Sequence, residues 1–271
     1  MRINTNLNAM IATNQMSKNT ALAGSSMEKL STGLRITKAG DDAAGLAVSE
    51  KMRAQIRGME QAERNVQDGI SMVQTAEGAL EEAGNIAQRM RELGVQAGND
   101  TLSEEDRTKV KAELTQLQDE MSKIATETKF NGKELLNKVG TFTIQAGANS
   151  ETRTVKTADL SSIAKNIGLT SSTNISSSSD AQSFVTKVDT ALSSINDARS
   201  ALGAMQNRLE YTANNLTTST ENLTAAESRI RDVDVAKEMV TLSKLNILNQ
   251  ASQAMVSQAK QQPESVSQLL R

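Results

Sequence analysis

The sequence contains no histidine, no cysteine and no tryptophan, and its 271 residues include one proline, three phenylalanines and one tyrosine. Without imidazole or thiolate side chains, the chain cannot build the usual zinc sites, a Ser-His-Asp or Cys-His nucleophile, or a disulfide. The lack of aromatic residues also leaves few bulky groups to fill a thick core. We therefore expect no catalytic residues, no cofactor and no metal site, and the protein is not expected to be an enzyme.

The charge balance and the hydropathy pattern exclude two further classes of partner. The chain has 30 basic and 32 acidic residues, a formal net charge of −2, so it has no basic footprint for nucleic acid. No apolar run is long enough to insert into a membrane, and residues 1–6 lack the apolar core of a cleaved signal peptide. We expect a soluble chain that is not exported through an ordinary signal peptide.

A heptad repeat dominates the second half of the sequence. Its spacing alternates between four and three residues, which keeps one stripe of a helix facing a partner helix. The seam consists of Phe184, Val188, Ala191, Ile195, Ala198, Leu202, Met205, Leu209, Thr212, Leu216, Ser219, Leu223, Ala226 and Ile230. A less regular stripe lies between Gly45 and Gly98, at Met52, Ile56, Met59, Val66, Ile70, Val73, Leu80, Ala83, Ala87 and Met90. The two stripes predict a mainly α fold, a long antiparallel coiled-coil-like helical bundle.

Shorter signals place the remaining elements. Val110, Leu114, Leu117, Met121 and Ile124 predict a third helix. Ser103 and Asp106 form a capping-box pattern at its start, and Asn131-Gly132 predicts a turn after it. Alternating Phe142 and Ile144 predict a small β-hairpin between residues 140 and 155. The serines that follow, up to Ser179, predict a surface loop, so the hairpin and the Ser-rich loop together occupy about residues 140–180.

Both ends of the chain are poor in charge but retain apolar residues at helical spacing. Residues 1–27 carry two charged side chains and residues 240–270 carry three. A solvated helix normally has a charged outer face, so these helices are suited to packing against other chains. Frayed terminal tails are the alternative. The candidate polymerisation residues are Ile3, Leu7, Ile11, Leu245, Leu248, Met255, Val266 and Leu269.

At both ends the sequence resembles bacterial flagellin. The matching amino-terminal motifs are MRINTN at 1–6, LSTGLRI at 30–36, DDAAGLA at 41–47 and QTAEGAL at 74–80. The matching carboxyl-terminal motifs are RIRDVD at 229–234, QAKQQP at 258–263 and LLR at 269–271. The resemblance covers nearly the whole chain, and the middle is similar to a short form that lacks the outer variable domains.

The resemblance implies a domain organisation, partners and a location. Residues 1–44 and 231–271 would form a discontinuous inner domain, in which the terminal helices pair as a coiled coil and become ordered on assembly. Residues 45–230 would form the helical bundle domain. The implied partners are identical subunits in a helical homopolymer, an export chaperone and a filament cap. The implied location is the extracellular flagellar filament, reached by the flagellar type III apparatus without a cleaved signal peptide, with swimming motility as the function.

One stretch is similar to the surface that the flagellin-sensing Toll-like receptor recognises. The similarity covers residues 88–96 and 112–116, and by motif it makes Arg89, Leu93 and Glu113 the receptor contacts. Arg89 and Leu93 are four residues apart and so share one helical face. The alternative is that Arg89 is a solvated charge and that Leu93 packs within the bundle.

Two other functions fit part of the sequence. A hook-filament junction protein has similar termini but forms a short zone instead of a long polymer, and the receptor-like stretch favours flagellin over it. A soluble coiled-coil adaptor would explain the heptads but not the motifs at both ends. Filaments seen by electron microscopy after salting out would distinguish flagellin from the adaptor.

Overall fold

A computed structural model describes the backbone of residues 6–168, 175 and 177–269, and the side chains of these residues up to 261. Over this part of the chain the fold is mainly α, as predicted, with six helices and two small antiparallel hairpins. The elements are α1 (Leu7–Thr32), α2 (Ala43–Ala97), α3 (Glu104–Glu127), β1 (Lys129–Phe130), β2 (Lys133–Glu134), β3 (Thr141–Gln145), β4 (Thr152–Lys156), α4 (Leu160–Ile167), α5 (Ser178–Arg231) and α6 (Val235–Leu269).

The heptad seam predicted for α5 is confirmed. Every seam residue is buried or half-buried. The buried positions are Phe184, Val188, Ala191, Ile195, Leu202, Leu209 and Leu216. The predicted stripe of α2 is also buried or half-buried throughout. The apolar period therefore identified the inward face of both long helices.

The start of α3 has the predicted capping box. The Ser103 hydroxyl oxygen accepts a hydrogen bond from the Asp106 amide at 3.2 Å, and the Asp106 carboxylate accepts one from the Ser103 amide at 3.4 Å. The Ser103 hydroxyl also donates to that carboxylate, and this bond is the main cause that holds the pKa of Asp106 below its ordinary value. The cap satisfies amides that the first helical turn leaves without partners.

The predicted hairpin is present as β3 and β4, with Phe142 opposite Val155 and Gln145 opposite Thr152. A second hairpin, β1 with β2, surrounds Asn131-Gly132, where the sequence predicted only a turn. Both turn residues have positive φ, 48° and 77°, which suits a two-residue hairpin loop. Each of its strands has two residues, too few to show an alternating pattern.

The predicted loop after the hairpin was wrong in two places. Residues 160–167 form α4, because the Asp159 carboxylate caps the Ser162 amide at 2.7 Å and a short apolar stripe is buried. That stripe is Leu160, Ala164 and Ile167. The serines at 178 and 179 belong to α5. The rest of the predicted loop, 169–174 and 176, lies outside the described residues.

The chain divides into two compact units, and the larger comprises residues 55–220. It contains all of the largest fully buried side chains of the described residues, namely Phe184, Leu80, Met90, Leu114, Met121, Leu135, Leu136, Leu160, Ile167, Ile195, Leu202 and Leu209. An ion pair with Arg91 Nε 2.6 Å from Asp189 Oδ1 also joins α2 to α5 here.

The other unit comprises Met1–Ala54 and Glu221–Arg271, in which α1 pairs with α6. The pairing is antiparallel, since Asn6 Nδ2 donates to the Ala259 carbonyl at 2.6 Å while Thr20 contacts Asn249, further along α1 and further back along α6. The predicted domain boundaries, 44/45 and 230/231, differ from these division points, which fall inside the continuous helices α2 and α5.

The connections that lead into α2 and out of α5 pair with each other in this unit. Leu34 and Asp232 form an antiparallel bridge, flanked by an Arg35 amide that donates to the Arg231 carbonyl at 2.6 Å. The Val233 amide donates to the Gly33 carbonyl at 3.0 Å. We call this short ladder the junction.

Candidate interaction surfaces

Small and polar residues line the seam between α1 and α6. Ala12, Asn19 and Ser26 are buried on α1 and lie seven residues apart, and Leu245 and Ser252 are buried on α6 at the same spacing. A seven-residue repeat marks the stripe that faces a partner helix. In an ordinary coiled coil this stripe is filled by leucine or isoleucine, so the pair encloses little apolar surface.

Most of the large apolar side chains of the same helices are exposed instead, whereas Leu245 is buried and Met16, Leu30, Leu242 and Val256 are half-buried. We call the exposed set the outer apolar surface. On α1 it consists of Leu7, Met10, Ile11, Leu22 and Met27, and on α6 of Val235, Met239, Val240, Ile247, Leu248 and Met255. Each of these side chains is more than a third exposed. Exposed apolar surface on this scale indicates an interaction site, because a soluble monomer rarely displays it without a partner.

Four of the eight predicted polymerisation residues belong to the outer apolar surface, namely Leu7, Ile11, Leu248 and Met255. Leu245 is buried in the seam instead, so it stabilises the pair and is not available to a second chain. Ile3 lies outside the described residues, as do the side chains of Val266 and Leu269.

The sequence prediction missed most of this surface, including Met10, Met27, Val240 and Ile247. One signal could have found it. The buried residues of α1 recur every seven positions with small or polar side chains, so the inner face could have been assigned to them and the outer face to the large apolar residues. The usual assumption that large residues face inward hid this arrangement.

The three predicted receptor contacts do not form one surface. Arg89 and Glu113 lie together, with Arg89 Nη2 3.1 Å from Glu113 Oε1 on α3 and Nη1 3.0 Å from Glu92 Oε2. The hydrogen bonds that Arg89 donates to Glu92, and then to Glu113, hold the pKa of Arg89 above its ordinary value. The Arg89 side chain is 53% exposed, so the cluster is accessible to a partner.

Leu93 is 3% exposed and belongs to the hydrophobic core of the larger unit. It therefore packs within the bundle, and its neighbour Gly94 lies against Phe184 and Val185. In this conformation Leu93 offers a partner no apolar anchor of its own.

The described residues contain no group of three acidic side chains placed to hold a metal ion. None of the helices in the described ranges combines the length and the apolar character needed to cross a membrane.

Comparison with known proteins gives one consistent family. The bacterial flagellin N-terminal helical region matches residues 3–141, and the bacterial flagellin C-terminal helical region matches residues 185–270. The chain is 54% identical to a flagellin of Halalkalibacterium halodurans and 48% identical to one of Bacillus subtilis, in each case over 100% of both chains. Among solved structures, it is similar to the crystal structure of Bacillus cereus flagellin, with 36% identity and a TM-score of 0.50 over 60% of this chain and 94% of that one.

Proposed function

The chain belongs to the bacterial flagellin family, and on that premise we propose that it is the repeating subunit of an extracellular flagellar filament used for swimming. As a member of this family it is a structural filament protein and not an enzyme. The outer variable domains of longer flagellins are absent from it.

The outer apolar surface is the observation that carries the proposal. Its side chains lie on both terminal helices, on the sides that the α1–α6 pair does not cover. Identical subunits can cover the outer apolar surface if this surface on one chain packs against a different surface of the next chain. Such heterologous contacts do not close into a ring unless the rotation happens to fit, and otherwise they generate a helical polymer.

The energetics of the terminal pair favour folding that is coupled to assembly. Ordering a residue costs about 1–2 kcal/mol of backbone entropy, whereas burying one large apolar side chain contributes roughly 1.5–3 kcal/mol. Leu245 is the one large apolar residue that is buried within the described parts of α1 and α6. We therefore propose that the inner domain, residues 1–44 and 231–271, acquires most of its stability from neighbouring subunits.

A double substitution on α6 tests the assembly surface. Val240 and Ile247 are seven residues apart, on one stripe, and are 70% and 65% exposed. The variant Val240→Ser with Ile247→Ser loses two apolar contacts, worth roughly 1.5–3 kcal/mol each. It should leave the larger unit folded but raise the concentration needed for polymerisation at least about a hundredfold. Sedimentation and electron microscopy after salting out measure this.

The matched control is Thr241→Ser, an exposed position on the same helix, which should polymerise like the wild type. Unchanged polymerisation of the double variant would argue against the surface. A wild-type chain that stays monomeric or dimeric under these conditions would contradict the filament itself and favour the adaptor.

We further propose that the flagellin-sensing Toll-like receptor binds the Arg89 cluster, with Glu113 beside Arg89 and Leu93 supporting both from the core. Arginine beside a carboxylate offers a fixed set of donors and acceptors, a frequent feature of binding hot spots. The Arg89 side chain is 53% exposed in the isolated subunit, so a partner can reach it.

Arg89→Ala should weaken receptor signalling by at least about tenfold without a measurable change in the free energy of unfolding, because exposed ion pairs contribute little to stability. Arg199→Ala, on α5, removes another arginine that pairs across helices, with Glu81, and should leave signalling unchanged. Leu93→Ala is less informative, since an emptied core site costs about 2–5 kcal/mol of stability. Equal signalling by the Arg89 and Arg199 variants would contradict the assignment.

The remaining partners follow from the family. We propose an export chaperone that covers the carboxyl-terminal segment, a filament cap at the growing end, and export through the flagellar type III apparatus. The exposed apolar side chains of α6 support the need for a chaperone, because they would otherwise promote premature association.

A further inference from the structure

Methionine is distributed unevenly over the two units. Among the residues that the structure describes, four methionines are more than half exposed, and all four lie on α1 or α6. They are Met10 (56%), Met27 (62%), Met239 (51%) and Met255 (55%). In the larger unit, the described methionines are buried or half-buried, and Met72, Met90 and Met121 are at most 8% exposed. Within the described residues, the most exposed methionine side chains thus belong to the outer apolar surface.

We propose that these four methionines are sites of reversible oxidation, and that oxidation by a hydroperoxide prevents the free subunit from joining the polymer. The proposal rests on the filament function argued above. It concerns the unassembled subunit, because assembly would bury the same side chains.

The reaction is a two-electron oxygen transfer. A lone pair of the methionine Sδ attacks one oxygen of the hydroperoxide, the O–O bond breaks and an S–O bond forms. The sulfur is oxidised to the sulfoxide and the peroxide is reduced. When the oxidant is hydrogen peroxide, one oxygen is transferred to the sulfur as a hydroxyl and the other departs as hydroxide. The hydroxide then takes the proton from the sulfur-bound oxygen and leaves as water. Exposure governs the susceptibility of such sulfurs, so the four should react first.

The sulfoxide changes what the outer apolar surface can bind. A flexible apolar side chain becomes polar and gains a strong hydrogen-bond acceptor. Burial of that acceptor against another apolar helix would leave it without a donor, which opposes association. The larger unit would keep its fold, because its own sulfurs are shielded. The expected product is a folded subunit that cannot polymerise.

The test treats wild-type monomer and preformed filament with hydrogen peroxide and maps sulfoxides by peptide mass spectrometry. In the monomer, the four exposed methionines should oxidise about tenfold faster than Met72, Met90 and Met121, and in the filament they should be protected to a similar degree. Oxidised monomer should fail to extend filament seeds. Methionine sulfoxide reductases A and B together should restore extension.

Two variants separate the sites. The quadruple variant M10L/M27L/M239L/M255L should keep extending seeds after peroxide treatment, while the matched core variant M72L/M90L/M121L should remain sensitive. If the quadruple variant does not polymerise at all, the site mapping and the reductase rescue of the wild type decide the matter. Equal oxidation of exposed and buried sites, or normal extension by monomer oxidised at the four sites, would overturn this inference alone. Untreated wild type that forms no filaments would instead contradict the proposed function.

Discussion

Individual glycines set how closely α2 and α5 can pack. A β-carbon added at Gly94 would lie 2.9 Å from Val185 Cγ2 and 3.0 Å from Phe184 Cδ1, whereas one added at Gly78, on the same helix, would meet nothing within 4 Å. Gly94 is buried and Gly78 is exposed. The two positions therefore separate helix propensity from steric crowding.

We predict opposite effects for alanine at these two glycines. Gly78→Ala should raise the free energy of unfolding by up to about 1 kcal/mol through helix propensity. Gly94→Ala gains the same propensity but overpacks the interface at a cost of about 1–3 kcal/mol, and should be net destabilising. Urea unfolding of the full chain measures both. Equal stabilisation by the two substitutions would show that the helices can separate at Gly94 without cost.

At the residue scale, spacing predicted faces but not partners. Arg89 and Leu93 share a helical face by their spacing of four, yet one is exposed and the other is buried. The ion pair between Arg89 and Glu113 joins two helices, and no single-helix pattern contains that information. The capping box at Ser103 was predictable because all of its contacts are local.

Among the connecting elements, the loop between α1 and α2 is organised by one carboxylate. Asp41 Oδ2 accepts hydrogen bonds at 3.1 Å from the amides of Lys38 and Thr37 and from the Thr37 hydroxyl. The bond from the Lys38 amide is the largest cause that holds the pKa of Asp41 below its ordinary value. A carboxyl whose pKa is lower in the folded state stabilises the fold above its unfolded pKa.

The contribution of Asp41 should therefore be complete near neutral pH and disappear as the pH falls through its lowered pKa. We predict that Asp41→Asn is less stable than the wild type at about pH 7 and that the difference vanishes at about pH 2. Thr37→Ala keeps both amide donors and should show a smaller loss. Unfolding curves of the full chain across this range provide the measurement, and a difference that persists unchanged in acid would contradict the role of Asp41.

Element length determined what the sequence could predict. The long helices α2 and α5 repeat their apolar spacing many times, so their inward faces were clear. Helix α4 has eight residues and one short apolar stripe, and its serines made the sequence pattern typical of a loop. The strands β1 and β2 have two residues each, and only their Asn131-Gly132 turn left a signal.

On the scale of the whole molecule, most of the buried apolar side chains that the structure describes belong to the larger unit, residues 55–220. The largest fully buried side chains of the described residues lie between residues 55 and 220, and the buried apolar residues described outside that range are Ala12, Ile36 and Leu245. The sequence showed that the termini are poor in charge and rich in amide and hydroxyl side chains. It did not show which of their faces is turned outward, because that depends on which helix each one pairs with.

This distribution predicts unequal protection in dilute, unassembled subunit. Amides of α1 and α6 should exchange with solvent faster than those of α2 and α5 between residues 55 and 220, by about a factor of a hundred or more, because local opening costs less where little is buried. Hydrogen exchange read by mass spectrometry tests this, with the assembled polymer as the control in which both terminal helices become protected. Terminal helices that are equally protected in the monomer would contradict folding on assembly.

The junction has a mechanical consequence. The segment that enters α2 and the segment that leaves α5 are joined by the antiparallel bridge between Leu34 and Asp232. Tension on the terminal helices is therefore carried by two backbone segments that are hydrogen-bonded to each other. A protease cut in either strand would leave the other intact and still bridged.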